Sequence, residues 1–270
     1  MMNGRILKRR KKAFSLQPRD AGIIKNVFRW RFLTGRQTRS LSGFNSQKRT
    51  NDRLRALFNA GYLSRRLFIS TFQKKLLYFT GPKGTEFMAA ETGTDPLEAG
   101  RKRTKATKTR DSFLSHFLAI NDFRFSLEMA KRSDPRIEIN AWKYKPPLFI
   151  NEEPKIFPDA YLLIKQQEKF CHYFLEIDRS VESRKRIKKK IETYLDYGLD
   201  GGFERQYGSK YFRLLIVAKT PARLTTLSKI IGRVTDKSFC WLTTGKNVMP
   251  EKIFSQIWHR PNKEGAFSLI

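Results

Sequence analysis

The sequence predicts two folded units of mixed α and β structure (α+β and α/β): a winged helix-turn-helix at the amino-terminal end and, after a basic linker, an α/β domain on a central mixed sheet. Three observations carry this. The chain has 270 residues with 40% hydrophobic and 13% aromatic side chains, enough to bury a core and long enough for two small domains. Its first stretch reads as three short helices followed by two β-rich runs. Its second reads as αβββαβαβ, strands separated by helices, which argues for layers around one sheet. The expected boundaries are a basic tail at 1–17, the winged helix at 18–88, the linker at 89–111 and the second domain at 112–270.

In the first unit, Pro18 suits the first turn of a helix, and Ile23, Ile24, Val27 and Phe28 follow at helical spacing to an end near Phe32. Thr34 is the expected N-cap of a second helix, Arg36 to Leu41, stopped at Gly43. Ser46 caps a third, whose Leu54, Leu57 and Phe58 share a face and which Gly61 ends. Arg65–Ser70 and Leu76–Thr80 then read as a hairpin with Gln73, Lys74 and Lys75 in its polar tip. In a winged helix the third helix enters the major groove and the hairpin tip lies on the backbone. Gln47, Lys48, Arg49 and Asn51 are then the residues nearest base edges, because amide and guanidinium groups make paired hydrogen bonds to adenine and guanine. Arg53, Arg55, Lys74 and Lys75 would hold phosphates.

Charge points the same way. Lys and Arg number 55 against 25 Asp and Glu, a net charge of +30, and the excess is uneven: residues 1–110 hold 27 basic and 6 acidic side chains, residues 111–270 hold 28 and 19. A basic excess gathered in one region is a footprint of nucleic acid, so double-stranded DNA is the expected partner. The linker adds Arg101, Lys102, Arg103, Lys105, Lys108 and Arg110 with no acid among them. The competing reading of the first unit is a protein-interaction module.

The second unit opens with a helical pattern at 112–132, ended by Asp134 and Pro135. Strand-like runs follow at Arg136–Tyr144, Phe157–Ile164 and Cys171–Asp178, then a helix at 183–197, a strand at Tyr211–Ala218, a helix at Ala222–Val234 and a strand at Phe239–Leu242. Asp159 opens one strand, and Glu176 and Asp178 lie two apart on the next, so the pleat turns both carboxylates to one face. Three converging acids beside a basic groove suit Mg²⁺-assisted phosphodiester hydrolysis, with Asp159 and Glu176 as metal ligands and Asp178 beside them. The bland alternative is that Glu176 and Asp178 pair with Arg179 or with cations of the following helix. That helix begins with Arg184, Lys185, Arg186, Lys188, Lys189 and Lys190, which repel one another unless an anion such as DNA phosphate neutralises them.

Other chemistry lacks support. Cys171 and Cys240 have no partner at short spacing, which suits a reducing cytoplasm, and no apolar run has signal-peptide or membrane-spanning length. The chain is therefore expected to be cytoplasmic, with no membrane partner. His116 reads as a core residue, and His172 and His259 lack metal-ligand spacing. No GxSxG elbow occurs, and Gly81, Lys83 and Gly84 do not make a phosphate loop, so ATP use is not expected.

Pro158–Asp159, the Glu176-x-Asp178 pair and the basic helix after them resemble the PD-(D/E)XK nuclease fold. Over roughly residues 18–245 the layout is similar to the replication-relaxation family: RLRALFNAGYL (Arg53 to Leu63), YFTGPKG (Tyr78 to Gly84), HFLAINDFRF (His116 to Phe125), PDA (Pro158 to Ala160), LEIDRS (Leu175 to Ser180) and KIETY (Lys190 to Tyr194). The resemblance implies a restriction-endonuclease-like second domain. It also implies DNA binding in the replication, relaxation or maintenance of a plasmid or other mobile element, with other plasmid replication or mobilisation proteins as further partners. One departure matters: Asp178 stands where such nucleases carry a lysine, which implies a degenerate site unless Lys190, on the next helix, supplies it. The leading expectation is a DNA-binding protein that needs no cofactor. The alternative is a Mg²⁺-dependent endonuclease or nickase using Asp159, Glu176, Asp178 and Lys190. A third is an RNA-binding or protein-assembly factor.

Overall fold

The structure, a computed structural model, describes residues 14–70, 73–93, 95, 100, 110–180 and 182–270. Most of the expected basic tail, and the linker residues Arg101, Lys102, Arg103, Lys105 and Lys108, lie outside them. The chain divides into two compact units, residues 1–118 and 119–270. Eight α-helices and ten strands occur among the described residues, and the protein is of mixed α/β class.

In the first unit, α1 (Pro18–Trp30) carries proline in its first turn, where the missing N–H is not needed, and buries Ile23, Ile24, Val27 and Trp30. After β1 (Leu33–Thr34), the Thr34 hydroxyl accepts from the Gln37 amide at 3.2 Å while the Gln37 side chain accepts from the Thr34 amide at 3.0 Å. This reciprocal cap starts α2 (Gly35–Leu41). The third helix, α3 (Gln47–Ala60), is capped by Ser46 and ends at Gly61, whose φ of 91° is a left-handed conformation suited to glycine. It buries Thr50, Leu54, Leu57 and Phe58.

The strands β2 (Leu63–Ser70) and β3 (Gln73–Thr80) form an antiparallel ladder from Leu63 opposite Thr80 to Ser70 opposite Gln73, and β1 pairs with the far edge of β3. This register corrects the expected hairpin. Lys74 and Lys75 stand within β3, opposite Ile69 and Phe68, because the ladder continues past the polar stretch that read as a tip.

A helix that the sequence did not announce, α4 (Pro82–Thr92), follows at once. It can start there because Gly81 and Gly84 have no side chain: a Cβ on Gly84 would fall on the Tyr62 carbonyl oxygen, and one on Gly81 on that of Gly61. Backbone cannot step aside as a side-chain end can. Gly84→Ala is therefore expected to cost about 3 kcal/mol in thermal unfolding, and a loss below about 1 kcal/mol would show that the helix start yields freely.

The helix α5 (Asp111–Ser133) begins in the first unit and ends in the second. The second unit is built on five strands, β4 (Ile137–Tyr144), β7 (Ala160–Gln166), β8 (Lys169–Ile177), β9 (Arg213–Ala218) and β10 (Cys240–Thr244), in the order β10-β9-β8-β7-β4. The β8–β9 and β9–β10 pairs are parallel and the other two antiparallel, so the sheet is mixed as expected.

Alternation along the strands divides the core. Ala160, Leu162, Tyr173, Leu175 and Leu215 pack on one face with Phe123 and Leu127 of α5. Tyr161, Phe174, Leu214 and Ile216 pack on the other with α6 (Arg184–Leu199), α7 (Gly202–Tyr207) and α8 (Pro221–Val234). A small hairpin not expected from sequence, β5 (Leu148–Ile150) and β6 (Glu153–Ile156), turns at Asn151 and Glu152, with φ of 49° and 65°. The carboxyl-terminal segment returns to the first core: Trp258 and Leu269 are buried, and Tyr173 donates its hydroxyl to the Leu269 carbonyl at 2.9 Å.

Candidate nucleic-acid interface and carboxylate site

The face of α3 opposite its buried stripe presents Lys48, Arg49, Asn51, Asp52 and Arg55, all exposed. Helical spacing brings Lys48, Asp52 and Arg55 together. Asp52 makes a loose pair with Arg55 at 3.6 Å. Gln47 is half-buried and donates to the Asn51 side chain at 2.9 Å, and both amides lie against Gly35 at the start of α2. Those two side chains are thus held in place from the helix below.

Arg53 does not join this set. Its Nε donates to Asp20 Oδ1 at 2.6 Å, its second nitrogen to Asp20 Oδ2 and to the Ser15 carbonyl at 2.9 Å, and its guanidinium lies over the Phe14 ring. The hydrogen bond to the fully buried Asp20 raises the Arg53 pKa against the opposing effect of burial. Arg53, expected to hold phosphate, thus has its fork already filled by a carboxylate. In β3, Lys74 is exposed and Lys75 half-exposed.

In the second unit, Ser183 caps α6 by accepting from the Arg186 amide at 3.3 Å. Arg184, Lys185, Arg186, Lys188 and Lys189 are exposed, while Ile187 and Ile191 turn to the core. The first turn carries no acid and sits at the positive end of the helix dipole, so these cations crowd an already positive site. Lys188 gains a nearby acid on the helix, Glu192 at 3.7 Å.

Beside this helix lie the three acids. Asp159 is buried just before β7, and its Oδ2 accepts from the Ile177 amide at 2.9 Å. Glu176 accepts from the Tyr194 hydroxyl at 2.8 Å and from Lys190 Nζ at 3.2 Å. Burial pushes the Glu176 carboxyl up to about 6; Lys190 opposes this and the Asp159 charge adds to it. Lys190 also reaches Glu182 at 3.1 Å. Burial pulls its ammonium down, but the two glutamates outweigh burial and hold it above the ordinary lysine value. Asp178 is on the same face yet engaged elsewhere: both its oxygens accept from Arg223 in the first turn of α8, at 2.8 and 2.9 Å.

The predicted pairing of Glu176 with a cation of the next helix therefore holds for Lys190. Arg223 lies 45 residues beyond Asp178 and carried no signal in the sequence. Nor did Glu182, and Tyr194 read only as one of the apolar stripe of α6. Among the described residues, no three His, Cys, Asp or Glu side chains come together as metal ligands would. Both Glu176 oxygens, both Asp178 oxygens and Asp159 Oδ2 accept hydrogen bonds, from a phenol, an ammonium, a guanidinium and a backbone amide.

Fold and site together define a two-unit mixed α/β protein with an exposed basic helix in each unit. Residues 25–210 match the replication-relaxation family, and the chain belongs to that family. No curated protein matches the sequence. Among solved structures, the restriction endonuclease FokI matches with 11% identity over 85% of this chain and 43% of its own, at a TM-score of 0.29. The chain thus spans less than half the length of that enzyme. Among the described residues, no helix is long and apolar enough to cross a membrane.

Proposed function

We propose that the protein binds double-stranded DNA in the replication, relaxation or maintenance of a plasmid or other mobile element, and does so without cleaving it. In this reading the first unit is a winged helix whose α3 docks in the major groove. The second is a degenerate restriction-endonuclease-like domain that grips the backbone through Arg184, Lys185 and Lys188 of α6. The observation that carries the reading is the exposed face of α3, where Lys48, Arg49 and Arg55 stand with Asp52 as the single acid among them. Three exposed cations on one helix, with one loosely paired acid among them, offer an anion a single surface. Membership of a family described by replication and relaxation supports the same conclusion.

Each phosphate contact releases counterions, so the logarithm of the binding constant should fall linearly with that of salt concentration. Replacing Lys48, Arg49 and Arg55 together by Ala should make the slope shallower by about 0.9 for each of them that meets phosphate, Arg55 at least. Fluorescence anisotropy with a labelled duplex measures this, and an unchanged slope would refute docking through α3. Supercoiled plasmid incubated with the protein and Mg²⁺ or Mn²⁺ should remain uncut. Nicking that disappears in Asp159→Ala would replace this reading by that of a metal-dependent endonuclease or nickase.

A further inference from the structure

We propose that Lys190 and Arg223 are built-in counter-ions that stand in for a divalent cation in the carboxylate cluster of the second unit, which is therefore independent of metal. Lys190 Nζ lies between Glu176 Oε2 at 3.2 Å and Glu182 Oε1 at 3.1 Å. One ammonium thus bridges two carboxylates that belong to β8 and to the loop after it. The remaining Glu176 oxygen is taken by the Tyr194 hydroxyl, and Asp159 Oδ2 by the Ile177 amide. Arg223 closes the other side, binding both oxygens of Asp178 and donating to the Glu182 carbonyl at 3.1 Å. A planar fork in that position ties Asp178 and Glu182 to α8.

A divalent ion that entered would have to displace the Lys190 ammonium from both glutamates while remaining next to it, and like charges at such range repel strongly away from bulk water. It would also have to strip the phenol from Glu176. Lys190 is well placed to resist: its stem is held on α6 one turn before Tyr194, whose ring is fully buried. The inference does not depend on DNA binding, and a chain that failed to bind a duplex would leave it untouched.

Thermal unfolding of the full chain tests it, with MgCl₂ or MnCl₂ as titrant and EDTA as the reference. The melting temperature is expected to stay flat for the wild type, because an ion with no site stabilises nothing. A saturable rise of about 3 °C or more, lost in Asp159→Asn, would overturn the proposal. Lys190→Met keeps the stem and removes the charge, leaving Glu176 and Glu182 without their counter-ion. That variant is expected to melt lower than the wild type and to gain a Mn²⁺-dependent rise. A folded Lys190→Met that ignores Mn²⁺ would equally overturn the substitution of metal by lysine. If the variant does not fold, the wild-type titration decides: a flat response supports the proposal and a saturable one ends it.

Discussion

Replacing Arg223 by Ala is expected to destabilise the second unit by about 3–5 kcal/mol. The reason is the asymmetry of buried ion pairs. Asp178 and Arg223 are only 7% and 14% exposed, so removing the guanidinium strands a carboxylate where water can scarcely reach it. The same change frees the Glu182 carbonyl and with it the loop that presents Glu182 to Lys190. For a domain of this size the melting transition should drop by roughly 10 °C. A double variant, Asp178→Asn with Arg223→Met, leaves no bare charge and should recover most of the loss. If Arg223→Ala cost less than about 1 kcal/mol, the pair would be a solvated contact and its part in closing the site would be lost.

Arg53→Ala should behave in the opposite way to the cations around it on α3. It is expected to lower the stability of the first unit by about 3–5 kcal/mol, because Asp20 is fully buried and would lose its only charged partner among the described residues. Asp20 also accepts from the Gln17 amide at 2.7 Å, so the start of α1 loosens with it. Measured well below its melting temperature, the variant should keep the salt slope of the wild type, since Arg53 meets Asp20 and not phosphate. Arg49→Ala should do the reverse, changing the slope and leaving the melt within about 0.5 kcal/mol. Equal slopes for the two variants would mean that Arg53 leaves Asp20 when DNA arrives.

What the sequence made legible were features written in adjacent residues. Pro18, Thr34, Ser46 and Gly61 mark helix ends because caps act over three or four positions, and each sits where expected. Strands β7 and β8 were visible as apolar runs, their ends shifted by one to three residues. Helix α7 was hidden because Gly201 and Gly208 bracket it and read as loop, and the β5–β6 hairpin because Pro154 breaks the strand pattern and Asn151–Glu152 is not an Asn-Gly turn. The carboxylates were legible from the two-residue period of the pleat. Their partners were not: nothing near Asp178 announces Arg223, and nothing near Arg53 announces Asp20, since only the packing of distant helices brings these charges together. The exposed cations of α3 and α6 survived the passage to three dimensions because a helical face is a local property.

The family match ends at residue 210, ahead of β9 and β10, yet β8 pairs with β9 over Tyr173–Ile177. A fragment trimmed to the matched region would leave the β8 backbone from Tyr173 to Ile177 with unsatisfied amides and carbonyls, flanked by Phe174 and Leu175 on opposite sides of the sheet. Such a rim is adhesive and recruits whatever extended chain it meets, a second copy first of all. Shortened forms of this protein should therefore precipitate or pair up, and their failure to bind DNA would say nothing about α3.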